Sequence, residues 1–165
     1  NATFQADEKR GNQVDIITSP RSTGSILKPF LYAGMLHDGQ ILPSTLVSDV
    51  PLNINGFMPQ NYNKTFNGAV LPTERTLVRM LSQYNTGRFM TLLKTLGMTS
   101  LRFSEEHYGA SLILGGAEGT LWDISGMYAS LSRVLTHYRP YNGRYNPQDI
   151  HPLTPFPNKG KDPIQ

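Results

Sequence analysis

Apolar residues recur at intervals of three and four along four stretches of the chain, which is the period of one face of an α-helix. The predicted helices run from Ser25 to about His37, from Thr73 to about Tyr84, from Gly87 to Leu96, and from Thr120 through Leu135. The positions expected to face the core are Leu27, Phe30, Leu31 and Met35, then Leu77, Met80, Leu81 and Tyr84, then Phe89, Leu92, Leu93 and Leu96, and last Leu121, Ile124, Tyr128, Leu131 and Leu135. The fourth set is the most regular, and we predict that it belongs to the core rather than to a binding surface.

Residues that begin and end helices lie where this pattern requires them. Thr73 and Thr120 are suitable N-caps. Thr120 and Asp123, three residues apart, resemble a capping box. Asp38-Gly39 and Gly97 follow the ends of the first and third predicted helices, as C-terminal stops do. The helix boundaries are therefore supported by signals independent of the apolar periodicity.

Extended structure is predicted in two places between these helices. The β-branched run from Gln13 to Ile17 indicates a strand that ends at Ser19-Pro20. Residues 40–72 contain four prolines and two glycines, which favour loops and short strands. Within them, Asn55-Gly56 is typical of the turn of an edge hairpin.

The composition changes after Tyr138. Pro140, Pro147, Pro152, Pro155, Pro157 and Pro163 occupy the last part of the chain. Proline cannot continue a helix or a central strand, so this part is predicted to be an extended tail or linker. We therefore expect one domain over residues 1–138 and a proline-rich segment over 139–165.

Composition narrows the range of functions. The chain has 165 residues, of which 38% are hydrophobic and 16% are charged, as in a folded domain. Its formal net charge is +3, but no run of Lys or Arg is present, so nucleic acid is not an expected partner. There is no cysteine, and the four histidines lie at positions 37, 107, 137 and 151, without metal-ligand spacing. We expect no cofactor and no metal, and a first residue other than Met suggests a fragment of a longer protein.

The most distinctive chemical feature is Gly24-Ser25-Ile26-Leu27-Lys28-Pro29. If a helix begins near Ser25, residues three apart lie on one face, which brings the Lys28 amine within reach of the Ser25 hydroxyl. A serine hydroxyl becomes a good nucleophile only when a nearby group takes its proton. Ser25 and Lys28 are therefore the candidate catalytic residues. The alternative is an ordinary helix start, with Ser25 near the N-cap and Lys28 in solvent.

The residues around Ser25 carry a resemblance that distinguishes these two interpretations. Arg21-Ser22-Thr23-Gly24-Ser25-Ile26-Leu27-Lys28-Pro29-Phe30-Leu31-Tyr32-Ala33 resembles the nucleophile motif of the penicillin-binding transpeptidases. Val50 to Tyr62 is similar to an extended scaffold segment of that family. Ala110 to Glu118 resembles its Leu-Gly-Gly segment. The resemblance covers about Gly11 to Tyr138 and is strongest to the class A bifunctional peptidoglycan synthases.

The resemblance implies an α/β chain of the α+β kind with a β-lactamase/transpeptidase-like fold, in which helices pack on an antiparallel sheet and which is incomplete in this chain. It implies a D,D-transpeptidase in which Ser25 accepts an acyl group from the D-Ala-D-Ala end of a peptidoglycan stem peptide. Lys28 would accept the proton, and the Ser25 backbone N–H would bind the oxyanion. β-Lactam antibiotics would acylate the same serine. The parent protein would be membrane-anchored on the periplasmic side of the inner membrane, with a glycosyltransferase domain, and the fragment would be soluble.

Two family motifs are missing from the chain. No Ser-x-Asn occurs at any position, and Thr76-Leu77 runs directly into Val78 where that motif would be expected. No Lys-Thr-Gly follows Tyr138. We therefore expect the chain alone to be poorly active or inactive. The alternative function is a scaffold or partner-binding remnant that keeps the fold and has lost the chemistry.

Overall fold

The structure is a computed structural model that describes residues 14–62, 64 and 74–154. These residues form α1 (Lys28–His37), α2 (Glu74–Tyr84), α3 (Thr86–Thr95), α4 (Glu105–Tyr108) and α5 (Leu121–His137). Strand β1 (Arg21–Ser22) pairs with β2 (Glu118–Gly119) in antiparallel register, and 3₁₀ turns span Gly109–Leu114 and Pro147–Asp149. The mixture of packed helices and a small antiparallel sheet confirms the predicted fold class.

The first three helices bury the faces that the apolar pattern predicts. In α1 and the turn before it, Leu27, Phe30, Leu31 and Met35 are at most 3% exposed. In α2 and α3 the fully buried residues include Leu77, Met80, Leu81, Phe89 and Leu93. Leu112 and Ile113 of the 3₁₀ turn at 109–114 complete the core. Burial of each such side chain contributes about 1.5–3 kcal/mol, so this cluster is the main source of stability.

The predicted core face of α5 is only partly correct. Ile124 is buried as predicted and Leu131 is half-buried, but Leu121 is 58% exposed, Leu135 is 66% exposed and Tyr128 lies at the surface. Met127, which was not predicted, also faces the core. Because α5 lies at the edge of the core, only a narrow strip of it is buried, and periodicity cannot tell which side of a broad apolar face that strip occupies.

The predicted strand over Gln13–Ile17 is also wrong in its described part. Gln13 lies outside the described residues, and Val14, Ile16 and Ile17 are exposed and outside any strand. The strand is formed by Arg21 and Ser22, which have low apolar content but a partner in Glu118–Gly119. Strand formation here depends on the availability of a partner more than on β-branched composition.

Helix α1 begins at Lys28 and not at Ser25 as predicted. Proline has no N–H, so Pro29 cannot donate to the Ser25 carbonyl four residues earlier. The i→i−4 ladder therefore starts when the Leu31 N–H donates to the Leu27 carbonyl at 3.3 Å. Residues 24–27 form turns that lead into the helix.

Several predicted caps and turns are confirmed. The Thr120 hydroxyl accepts the Asp123 N–H at 3.0 Å, which is the first half of a capping box. Asn55 (φ 51°) and Gly56 (φ 88°) form the turn of a hairpin closed by a bridge between Ile54 and Phe57. Thr73 lies outside the described residues. The N-cap of α3 is Asn85, whose side chain accepts the Arg88 N–H at 3.0 Å, a cap that the pattern had not identified.

Residues after α5 fold back along that helix. The Arg133 guanidinium donates to the carbonyls of Asp149 and His151, both at 2.9 Å. The buried Asp149 carboxylate lies 2.8 Å from His137 Nδ1. Residues 155–165 lie outside the described part, and the domain boundary at residue 138 stays a prediction.

The contact between the ends of α1 and α3 makes stability depend on pH. The His37 side chain hydrogen-bonds Asp38, Tyr84 adds a second hydrogen bond, and Arg88 lies 2.8 Å away; together they lower the pKa of the Asp38 carboxyl. A lowered pKa in the folded state stabilises the fold above the ordinary Asp pKa of about 3.9, and this contribution is lost as the pH falls through the folded-state value.

We therefore expect the free energy of unfolding to fall below about pH 4 less steeply in Asp38→Asn than in the unmodified chain. Urea unfolding followed by circular dichroism at a series of pH values measures this difference. Equal slopes in the two proteins below that pH would contradict the assignment.

Candidate active site

The Ser25 turn, which we define as residues 23–28, joins β1 to α1. The Ile26 N–H donates to the Thr23 carbonyl and the Lys28 N–H donates to the Ser25 carbonyl, both at 3.2 Å. In such i→i+3 turns the side chains of residues three apart are nearly eclipsed, which favours Ser25 and Lys28 on the same side. Ser25 is exposed and Lys28 is half-buried. The turn therefore presents the hydroxyl to solvent next to the start of a helix.

Gly24 gives the turn its shape. Its φ of +53° lies in the left-handed region that side chains disfavour. From there the chain enters α1, whose first N–H groups have no partner within the helix and carry a partial positive charge. An anion that develops near Ser25 would lie close to this end of the helix.

Residues 115–117, about 90 positions further along the chain, hold the N-terminal side of the Ser25 turn. Both the N–H and the hydroxyl of Thr23 donate to the Ala117 carbonyl, at 3.0 and 3.1 Å. The Ser22 hydroxyl donates to the Gly115 carbonyl at 2.8 Å. A Cβ on Gly115 would lie 2.9 Å from the Gly24 Cα, so only glycine fits here. The structure thus brings the Ser25 segment and the Leu-Gly-Gly segment into direct contact.

Helix α5 is the second segment that supports the Ser25 turn. The Tyr128 hydroxyl donates to the Ile26 carbonyl at 2.7 Å, and the Tyr128 ring packs edge-on against Phe30 with centroids 4.9 Å apart. Partial burial raises the pKa of Tyr128, so its hydroxyl remains a donor at neutral pH. Periodicity had assigned Tyr128 to the core, but it lies instead beside the Ser25 turn.

Two other segments with residue types that could carry chemistry take no part in the Ser25 turn. Thr91-Leu92-Leu93-Lys94 repeats the spacing of the Ser25 motif, but it lies within α3 and the Thr91 hydroxyl donates to the Gly87 carbonyl at 2.9 Å. Lys94 is exposed at the surface of α3. Glu105 and His107 lie in the short helix α4.

Within residues 14–62, 64 and 74–154, no group of three or more His, Cys, Asp or Glu side chains could hold a metal ion. None of the helices in this part of the chain combines the length and apolar character needed to cross a bilayer.

Comparison with curated proteins finds a relative along most of the chain. Over 150 residues, covering 87% of the chain, it is 34% identical to penicillin-binding protein 1C of Escherichia coli (strain K12). The chain spans 19% of the length of that relative. No protein-family profile matches the chain.

Comparison with solved structures finds penicillin-binding proteins with a similar fold. The penicillin-binding protein PonA1 of Mycobacterium tuberculosis, in complex with penicillin V, superposes with a TM-score of 0.61 over 74% of the chain and 38% of its own, at 21% identity. Penicillin-binding protein 3 of the same organism superposes with a TM-score of 0.59 over 78% of the chain and 36% of its own, at 16% identity.

Proposed function

The chain belongs to the penicillin-binding protein family, and on that basis we propose that it is part of a D,D-transpeptidase domain that uses Ser25 as its acyl-accepting nucleophile. The observation that carries this proposal is the Ser25 turn. It places an exposed serine next to a helix start, three residues from a lysine, and two separate segments, residues 115–117 and α5, hold it in place.

The proposed reaction proceeds through an acyl-enzyme. The Lys28 amine takes the hydroxyl proton as Ser25 Oγ attacks the carbonyl of the D-Ala-D-Ala bond. The Ser25 backbone N–H stabilises the oxyanion. When the C–N bond breaks, D-Ala leaves with the proton that Lys28 held. An amine from a second stem peptide then attacks the ester carbonyl; the new C–N bond forms, the bond to Ser25 Oγ breaks, and Lys28 passes the proton of the amine to Ser25 Oγ. A β-lactam would acylate Ser25 in the same way, but the ester that it forms with Ser25 would break down slowly.

This proposal also implies partners and a location. Peptidoglycan stem peptides are the substrates, and β-lactams are inhibitors, which the penicillin V complex of PonA1 supports by analogy. The parent protein lies on the periplasmic side of the inner membrane, anchored there and joined to a glycosyltransferase domain. Because the chain contains neither Ser-x-Asn nor Lys-Thr-Gly, we expect acylation by this chain alone to be slow.

Fluorescent penicillin tests the assignment of both residues. We expect slow labelling of the chain on a denaturing gel, no labelling of Ser25→Ala, and labelling of Lys28→Gln that is slower by about 10²–10⁴-fold, the usual contribution of a proton acceptor.

The matched controls are Ser132→Ala and Lys94→Gln, which remove an exposed serine and the lysine of the second motif with the same spacing. Both should label as the unmodified chain does. Labelling that persists in Ser25→Ala would contradict the proposal. The absence of any labelling, with the fold intact, would favour the scaffold function instead.

A further inference from the structure

A cavity of about 470 Å³ lies next to the Ser25 turn, on the side where Ser22 meets Gly115. We call it the Ser22 cavity. Its walls come from β1, β2, the 100–108 segment and the glycine pair 115–116. It does not include Ser25 or Lys28, so the proposed reaction leaves it unexplained. Cavities of this size bind small molecules in many proteins.

The walls of the cavity are fixed before any ligand arrives. The Ser100 hydroxyl donates to the Glu118 carbonyl at 2.7 Å, which ties the 100–108 segment to β2. The N–H and hydroxyl of Thr99 both donate to the Asp123 carboxylate at 2.8 Å. On the opposite wall the Ser22 hydroxyl donates to the Gly115 carbonyl. A preformed cavity lowers the ordering cost of binding.

These same hydrogen bonds decide which groups of the cavity remain available. The hydroxyl hydrogens of Ser22 and Ser100 are both used on backbone carbonyls, and the Ser22 oxygen also accepts the Gly24 N–H at 3.4 Å, so each oxygen offers a ligand only its remaining acceptor capacity. The Glu118 side chain, on the strand position opposite Ser22, adds a carboxylate. Together these three groups suit a ligand that donates several hydrogen bonds and carries a positive charge, as an ammonium group does.

The 100–108 segment supplies groups suited to the negative charge and the apolar side chain of a ligand. The Arg102 guanidinium lines the cavity and is suited to a carboxylate. Phe103 is 58% exposed, and its ring stacks on His107 with centroids 4.3 Å apart. Tyr108 packs edge-on against both rings. The stacked Phe103 and His107 rings, supported edge-on by Tyr108, form an aromatic wall against which an aromatic or apolar side chain can pack.

We propose that the Ser22 cavity binds a short zwitterionic peptide, of about two residues, that carries an apolar or aromatic side chain. Its ammonium group lies against Glu118 and the oxygens of Ser22 and Ser100. Its carboxylate pairs with Arg102, and its side chain packs on Phe103 and His107. The proposal does not depend on the transpeptidase assignment, because no atom of Ser25 or Lys28 takes part.

The probe for this site is glycyl-phenylalanine with free termini, titrated into the ¹⁵N-labelled chain and followed by amide chemical shifts. We expect saturable shifts centred on Ser22, Gly115 and Gly116, with a Kd on the order of 1 mM. N-acetyl-glycyl-phenylalaninamide, which has neither terminal charge, should bind at least about tenfold more weakly.

Variants separate this site from general association. Arg102→Gln and Glu118→Gln should each raise the Kd about tenfold to hundredfold, since each removes one charge-assisted hydrogen bond, while Arg144→Gln should not change it. All three positions are exposed, and the spectra report whether each variant is folded.

Three results would overturn the proposal. They are the absence of saturable shifts at these amides, equal binding of the neutral analogue, and an unchanged Kd in both Arg102→Gln and Glu118→Gln. None of them would bear on the acylation of Ser25, so the two proposals can fail separately.

Discussion

Replacing Arg75 with Met is expected to lower the free energy of unfolding by about 3–5 kcal/mol, the usual cost of leaving a buried charge without its partner. Arg75 Nη1 lies 2.9 Å from Asp49 Oδ1, and neither side chain is more than 5% exposed. Asn61 completes the cluster by donating to Asp49 Oδ2 at 2.7 Å and accepting the Arg75 N–H at 3.1 Å. The cluster thus joins the 40–62 segment to the start of α2.

Chemical unfolding followed by fluorescence measures this loss. The control is Arg139→Met, which removes an exposed arginine and should change stability by no more than about 0.5 kcal/mol. The double variant Asp49→Leu/Arg75→Met should be less destabilised than the sum of its two single variants, because it leaves neither charge unpaired. A loss below about 1 kcal/mol in Arg75→Met would mean that the pair is not buried as described.

Replacing Gly115 with Ala is expected to cost about 2–6 kcal/mol and to impair Ser25 as well. Gly115 has a φ of +101°, which costs other residues about 1–3 kcal/mol. In addition, the new methyl group would lie 2.9 Å from the Gly24 Cα and 3.0 Å from its nitrogen, and relieving such overpacking costs about another 1–3 kcal/mol. Relief requires movement of the backbone immediately before Ser25.

Gly97→Ala is the matched control, because Gly97 has a φ of +108° and no atom within 4 Å of its added Cβ. Gly97→Ala should show only the cost of placing alanine at a positive φ, without a close contact of the new methyl group. The difference in stability between the two variants therefore measures the contact with Gly24. Penicillin labelling should be slower in folded Gly115→Ala and unchanged in Gly97→Ala. Equal effects of the two substitutions on stability and labelling would contradict a role for Gly115 in placing the Ser25 turn.

Local signals were sufficient for much of the fold. The buried faces of α1, α2 and α3 follow from apolar spacing, and Thr120 and Asn55-Gly56 follow from cap and turn chemistry. The prediction failed where the outcome depended on a distant partner. The described residues 14–17 form no strand, whereas Arg21 and Ser22 pair with residues 118–119. The apolar face of α5 was equally ambiguous, because the position of the core decides which side is buried.

The candidate site likewise contains residues that the sequence could identify and residues that it could not. Ser25 and Lys28 could be chosen from spacing and flanking residues, since both lie in one short segment. The residues that hold this segment could not, because Ser22, Thr23 and Tyr128 make contacts 93 to 102 positions away along the chain. The sequence signal for the contact between these two segments was the pair Gly24 and Gly115, because glycines in two separate motifs indicate that two backbones approach closely.

The most direct test of the account is to locate the acyl group. The chain is incubated with benzylpenicillin until a mass increase equal to one penicillin is detected, then digested and analysed by tandem mass spectrometry. We predict that the adduct lies on Ser25 and that Ser25→Ala gains no mass. An adduct on any other residue, or one that forms equally in Ser25→Ala, would contradict the central claim that this turn presents the nucleophile.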